Sequence, residues 1–333
     1  MKRRIQFHIP QAYAGLSLLE FLAQRFPYHD QTGWAERIAQ HRLQVNHRPV
    51  EAACALARGD LVEYIASDIP EPRVNLDVTV IFEDADLFAI NKPPNLPSHP
   101  GGRYFQHTLW ARLKTHFGLA QPMLINRLDR ETSGLTLVAK NEQAAKELRT
   151  EFSSRRVEKK YLALVEGVFP PRLAARGLLL PDPDSPVKKK VKFVSAEVAP
   201  PEHASRWAET VFQGLETVSG DVSKAWKSGP VSLIEALPTT GRLHQIRATL
   251  QTLGFPVVGD KLYGHDPAIF VRFCKDELTD EDRARLRMDR QALHAASLRI
   301  QHPRTRRMLE LEAPLPADMA ALLAAMRAAR LNP

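Results

Sequence analysis

Residues 125–135, INRLDRETSGL, constrain this chain more tightly than any other stretch. One acid, Asp129, stands between Arg127 and Arg130 and just ahead of a Thr132-Ser133-Gly134 turn. Guanidinium groups on either side favour the charged form of a carboxylate, so Asp129 is expected to stay an ionised nucleophile or base near neutral pH. Gly134 lets the backbone turn tightly before residues 135–138, an apolar run with strand character. The acid is therefore expected on a loop that feeds a buried strand, where rigid scaffolds carry reactive groups. By itself the segment also reads as a surface turn closed by an ion pair.

Charge narrows the partner. The chain has 333 residues, with 46 Lys and Arg against 38 Asp and Glu, a formal net charge of +8. That balance favours a polyanion, with nucleic acid the leading candidate. At 44% hydrophobic residues the chain can bury a core, and no apolar run reaches the 18 or so residues that span a bilayer. The start, MKRRIQFHIP, has basic residues but an apolar stretch too short for a signal peptide's core, which predicts a cytoplasmic protein. Cys54 and Cys274, widely separated, fit reduced thiols rather than a disulfide or zinc site, and the scattered histidines predict no metal.

Four segments in order resemble the RluA-type pseudouridine synthases. RLDRETSG resembles the family's catalytic motif, approximately H-R-L-D-x-x-T-S-G, with Asn126 in place of the histidine. AINKPPNLP at residues 89–97 resembles its N-K-P corner at Lys92-Pro93. Lys160-Tyr161 followed by LALVEG resembles its tyrosine strand. LPTTGRLHQIRATLQTLGFPVVGDKLYG, residues 237–264, resembles its T-G-R-x-H-Q-I-R block and the G-D-x-x-Y-G that follows. Leu293-His294-Ala295 and His302-Pro303 are similar to its closing strands, so the resemblance covers about residues 75–318.

The resemblance implies a fold and a division of the chain. Expected is an α+β class pseudouridine synthase fold, with a mixed, largely antiparallel sheet flanked by helices, over residues 75–333. Residues 1–68 resemble a small α/β S4-like RNA-binding domain, and a proline-rich linker, residues 69–74, joins the two. Leu18, Leu19, Leu22 and Phe26 mark one face of a first helix ending at Pro27, and Trp34 and Ile38 one of a second. Arg37 and Arg42 project basic groups there as candidate RNA contacts, although the same charges would serve a solvated helix face. Strands are read at residues 43–45, 61–64, 78–82, 87–90, 162–165, 231–237 and 298–300, and a charged helix at 142–152. Thr279 with Asp282 three residues on marks another helix start. Lys188, Lys189, Lys190 and Lys192 could clamp phosphates or merely guard a sheet edge.

Converting uridine to pseudouridine breaks the bond from C1′ to N1, turns the uracil and joins C5 to the same carbon, with no net oxidation and no cofactor. One carboxylate suffices, by attack at C1′ or removal of the C2′ proton, and Asp129 is assigned that role. A hydrolase would need a second carboxylate across the bond, and Glu131 is too close in sequence to provide one. The resemblance implies that Tyr161 stacks on the base and that Arg242 ion-pairs with Asp129, although Tyr161 could also be a core residue. It further implies Arg127 as the wedge filling the place of an extruded nucleotide. Arg130, His244 and Arg247 are read as RNA contacts, His244 alternatively as a satisfied core histidine. The expectation is a monomeric isomerase acting on rRNA or tRNA. The alternatives are a non-catalytic RNA-binding or ribosome-assembly factor on the same scaffold and an N-glycosidase.

Overall fold

A computed structural model describes residues 3–26, 29–66, 71–198, 204–219, 229–264 and 266–331. The chain divides into two compact units, Met1–Glu71 and Pro72–Pro333. The ends expected at Pro27 and for part of the linker, residues 69–70, lie outside the described residues.

The first unit is built from strand β1 (Arg3–His8), helices α1 (Leu18–Arg25) and α2 (Gln31–Ala39), and strands β2 (Leu43–Val45), β3 (Arg48–Pro49) and β4 (Leu61–Ala66), in sheet order β1-β4-β2-β3. Helix α1 starts at a capping box: the Ser17 hydroxyl accepts from the Glu20 N–H, and the Ser17 N–H donates to the Glu20 carboxylate. The Asp30 carboxylate caps α2 by accepting from Gly33 N–H at 2.7 Å. Leu18, Phe21, Leu22, Trp34, Ile38, Leu43 and Tyr64 close one core between helices and sheet. Arg37 lies along α2 and donates to the Tyr64 hydroxyl and the Gly33 carbonyl, and Arg42 is half-buried beside the sheet.

The second unit begins with β5 (Thr79–Glu83), β6 (Leu87–Lys92), α3 (Leu109–Thr115), β7 (Met123–Leu124), β8 (Ser133–Ala139) and α4 (Glu142–Ser153). A long antiparallel run follows: β9 (Glu158–Glu166), β10 (Arg172–Pro181), β11 (Val191–Ser195), β12 (Trp207–Val218) and β13 (Val231–Pro238). The chain continues through α5 (Gln245–Thr252), α6 (Ala268–Cys274), α7 (Asp280–Leu286), β14 (Leu293–Gln301), β15 (Met308–Glu312) and α8 (Ala317–Leu331). The strands join one sheet in the order β11-β10-β12-β13-β9-β14-β8-β6-β5, with β15 beside β14 and β7 beside β8. The Thr279-Asp282 start read from sequence is a capping box on α7.

Strand β8 shows why the centre of this sheet is rigid. Each of its seven residues is buried. Leu135 and Leu137 pack on Ala144, Ala145 and Leu148 of α4, while Val138 meets Leu109 and Leu113 of α3 on the other face. Burial of each such leucine stabilises by about 1.5–3 kcal/mol. β8 meets β14 in parallel, His294 opposite Ser133 and Ala295 opposite Gly134, whereas every other pairing in the sheet's described strands is antiparallel. Gly134 has φ +112°, and a Cβ there would lie 2.2 Å from the Ala295 carbonyl oxygen, so only glycine allows this approach. Tyr161 of β9 is opposite the same Ala295. Register thus places Tyr161 two strands from Gly134, five residues beyond Asp129.

Candidate active site

The loop from residue 125 to 133 is tied down through its backbone. Asn126 replaces a missing stretch of ladder: its amide donates to the Leu135 carbonyl at 3.1 Å and accepts from Leu137 N–H at 2.8 Å. The Leu128 carbonyl accepts from Ser98 Oγ at 2.8 Å, and the Arg130 carbonyl from Leu96 N–H at 3.0 Å. Lys92, completely buried, donates from Nζ to the carbonyls of Pro93, Leu96 and Arg130. Burial drives its ammonium down to about 7, against the pull of the nearby Asp129 charge. The Lys92-Pro93 corner thus fixes the backbone under the acid.

Asp129 leaves 30% of its side chain open. Its Oδ2 accepts from Arg247 Nη1 at 2.7 Å and, more weakly, from Gln291 Nε2 at 3.5 Å. Gln291 is oriented by donating to Thr132 Oγ1 at 2.5 Å. Arg247 is itself held by a two-point pair with Asp260, Nε to Oδ2 at 2.6 Å and Nη2 to Oδ1 at 2.9 Å. Asp260 also accepts the Leu262 and Tyr263 N–H groups and is fully buried. Burial pushes Asp129 upward, but the Arg247 guanidinium outweighs it, so the carboxyl sits below its usual range and is ionised at neutral pH.

This geometry corrects two expectations. Arg242 does not ion-pair with Asp129: it is exposed and its Nε donates to the Trp207 carbonyl at 3.2 Å. Arg247 takes that place, and with its fork committed to two carboxylates it has no free edge for an RNA phosphate. The reason is local. Residues 239–244 form the turn before α5, where Gln245 Oε1 accepts the Arg242 N–H and the Thr240 hydroxyl. His244 then takes φ 55°, which starts the helix and turns Arg247, not Arg242, to the acid.

Around this pair the other expected residues divide. Tyr161 is half-buried, and burial with the Asp129 charge pushes its phenol up to about 12, so it stays protonated. His244 Nε2 lies 4.0 Å from Asp129 Oδ1, and its Nδ1 is 2.9 Å from the Tyr263 hydroxyl. Arg127 is exposed, and its charge adds to burial in holding the neighbouring His99 ring neutral. Arg130 keeps 26% of its side chain exposed. It bonds the Tyr104 hydroxyl and Glu131, with the Tyr104 and Phe273 rings 5.7 and 5.1 Å from its Cζ. Glu131 is held by Lys261 Nζ at 3.1 Å to both oxygens.

Sequence reasoning passed over Asp260, Tyr263, Gln291, Lys261 and Tyr104. Asp260, Lys261 and Tyr263 stand in the GDKLYG segment and were legible as a motif but not as contacts. Gln291 carried no signal, because only the β14 register brings it to Asp129.

Among the described residues, Asp84, Asp86 and His302 could in principle hold a cation. Their hydrogen bonds oppose it. His302 Nδ1 accepts the Arg304 and Thr305 N–H groups, which puts the proton on Nε2, and that proton goes to Asp84 at 2.6 Å. Asp86 accepts from Asn141 and Arg304. The cluster ties β14's outgoing turn to the β5–β6 turn.

Comparison with known proteins agrees with this architecture. Residues 86–252 match the family model of RNA pseudouridylate synthase. The chain is 31% identical to ribosomal large subunit pseudouridine synthase D of Nitrosomonas europaea, over 97% of this chain and 88% of that one. It is 27% identical to ribosomal large subunit pseudouridine synthase C of Vibrio cholerae, over 99% of both. The structure of human RNA pseudouridylate synthase domain containing 1 superimposes with a TM-score of 0.55 at 25% identity, covering 78% of this chain and 98% of that one. With an arginine-paired acid on the loop that feeds β8 and a tyrosine on β9 two strands away, the chain belongs to the RluA-type RNA pseudouridylate synthase family and is an RNA pseudouridine synthase.

Proposed function

We propose that Asp129 performs the chemistry at the ribose of a uridine in structured ribosomal or transfer RNA, while Tyr161 stacks on the detached uracil. The observation that carries this reading is the asymmetry of the Asp129 carboxylate. Oδ2 is occupied by Arg247 and Gln291, and Oδ1 is left facing His244 across 4.0 Å. An ionised oxygen with open lone pairs can attack C1′ or take the C2′ proton, and either route begins at Oδ1. Arg247 keeps it charged throughout.

Tyr161 supports the second half. Its ring stands on the strand beside Ala295, and its phenol, neutral at any physiological pH, can donate to or relay a proton from C5. A nucleotide in folded RNA must leave its stack at a cost of a few kcal/mol, and exposed Arg127 next to the acid is positioned to take its place with a planar guanidinium. The basic surplus of the chain suits such a substrate. Relatives named for both RNA classes bracket the choice: the large-subunit enzyme of Nitrosomonas europaea and the mitochondrial tRNA pseudouridine(32) synthase of Saccharomyces cerevisiae. The first unit, with two helices over a small sheet, is read as an S4-like RNA-binding domain in which Arg37 and Arg42 face the backbone, and the protein as a cytoplasmic monomer needing no cofactor.

The test is tritium release from RNA labelled at uridine C5, taken from cells lacking this protein. Wild type should release tritium. Asp129→Asn should fall to background with RNA affinity unchanged within about twofold, because amide and carboxylate fill the same space. Free uracil among the products would mean hydrolysis, and RNA binding without release by wild type would mean a non-catalytic factor.

A further inference from the structure

We infer that Tyr263 is a positioning residue that locks His244 in the Nε2–H tautomer, so that His244 presents an N–H donor beside Asp129 Oδ1 to the ribose of the bound nucleotide. The inference rests on the assignment of Asp129 as the acid that acts there.

Three observations point the same way. The Tyr263 hydroxyl oxygen accepts the Val191 N–H at 3.1 Å. Its own proton then has one acceptor within reach among the described residues, His244 Nδ1 at 2.9 Å. A ring whose Nδ1 accepts carries its proton on Nε2. That nitrogen is the one turned to the Asp129 carboxylate, where an N–H is attracted and a lone pair would be repelled. The gap of 4.0 Å is too long for a hydrogen bond between the two, yet one ribose hydroxyl fits between them, accepting from Nε2–H and donating to Oδ1.

The backbone supplies the third. His244 has φ 55° and ψ 19°, the left-handed region, uncommon for a residue with a side chain. It is the residue immediately before α5, so the ring is held at the positive end of that helix, which further disfavours a second proton. Strain of this kind persists where surrounding structure over-determines it, and here the Tyr263 bond, the edge-on Tyr263 ring and Arg247 above that ring do so.

The charged groups facing the imidazole come from every neighbouring element: Arg247 on α5, Asp129 on its loop, Asp260 after α5 and Lys189 on the turn between β10 and β11. Burial first, then Arg247, keeps the ring neutral, against the pull of the two acids. Tyr263 is also where the β10–β11 hairpin reaches the site, because its partner Val191 is the first residue of β11. Loss of that hydroxyl removes a donor that only the neutral ring can accept, so the ring's proton affinity must rise.

The test uses full-length protein with 15N-labelled histidine, the His244 signals being identified by their loss in His244→Asn, a residue tolerant of the left-handed region. Wild type should show a protonated Nε2 and a bare Nδ1 at neutral pH. Tyr263→Phe, which keeps the buried ring, should populate both tautomers. In single-turnover tritium release it should lose roughly 2- to 10-fold, the worth of one neutral hydrogen bond, with KM unchanged and the acid limb of the rate moved to higher pH. A wild-type Nδ1–H tautomer, or a Tyr263→Phe protein with unaltered tautomer and acid limb, would overturn the inference. Inactivity of the enzyme would not, because the nitrogen spectrum is read without turnover; it would instead count against Asp129 as the acting acid.

Discussion

Replacing Arg247 by methionine isolates the group on which the charge of the site depends. In the native fold one guanidinium serves two carboxylates, Asp260 with no exposed side-chain area and Asp129 with 30%. Methionine fills similar length without charge, so Asp260 is left buried opposite thioether and ring. Breaking a buried pair from one side costs about 3–5 kcal/mol, and the Asp129 half adds less because water reaches it. For a unit of this size each kcal/mol moves the midpoint by about 2–4 °C, so the larger unit should melt roughly 6–20 °C lower at pH 7.

Calorimetry of the full chain reads this, the larger unit being the transition of higher enthalpy. Two controls give the assay its sign. Native Asp260 is pulled below its ordinary value: burial opposes ionisation, and Arg247 more than offsets it. Its stabilisation is therefore complete above the unfolded value, about 4, and is lost as the pH falls further. In Arg247→Met only the Leu262 and Tyr263 N–H groups oppose burial, so the folded-state value rises and instability grows as pH increases; lowering the pH from 7 to 5 should narrow the gap to wild type. Adding Asp260→Asn, which still accepts from Leu262 and Tyr263, should recover about 0.5–3 kcal/mol. A variant melting within about 2 °C of wild type at both pH values would refute the claim that Arg247 neutralises a buried charge.

Other substitutions probe the loop and the base site. Tyr161→Phe keeps the stacking face but loses the phenol, so RNA binding should persist while tritium release from C5 slows more than cleavage from C1′ in rapid-quench analysis; equal slowing would remove the phenol from the proton path. Asn126→Ala strips partners from Leu135 and Leu137 in the buried sheet and should cost about 1–3 kcal/mol by chemical denaturation, with no change implying that water replaces the amide. Gly134→Ala would drive a methyl into the Ala295 carbonyl, and soluble expression at wild-type level would contradict the β8–β14 approach.

Much of this was readable along the chain because it depends on neighbours in sequence. The Asp129 turn, the glycine at the start of β8 and the capping signals at Thr279 are local rules, and residues a few positions apart obey them wherever the chain goes. Even the substituted Asn126 kept its place, since an amide can stand in for two ladder bonds.

What could not be read was which of two arginines in one block would meet the acid. Arg242 and Arg247 are five residues apart, and the choice depends on the left-handed turn at His244, on Asp260 arriving to hold the guanidinium, and on Asp129 arriving from 118 residues away. Gln291 and Tyr263 enter the site in the same manner, through sheet register and helix packing. The sequence by itself determined the reactive loop, the strand it feeds and the chemistry its residues can perform. Tertiary structure alone decided which cation keeps the carboxylate charged, which oxygen stays open and which nitrogen of His244 holds the proton, because each follows from hydrogen bonds between segments that meet only when the sheet closes.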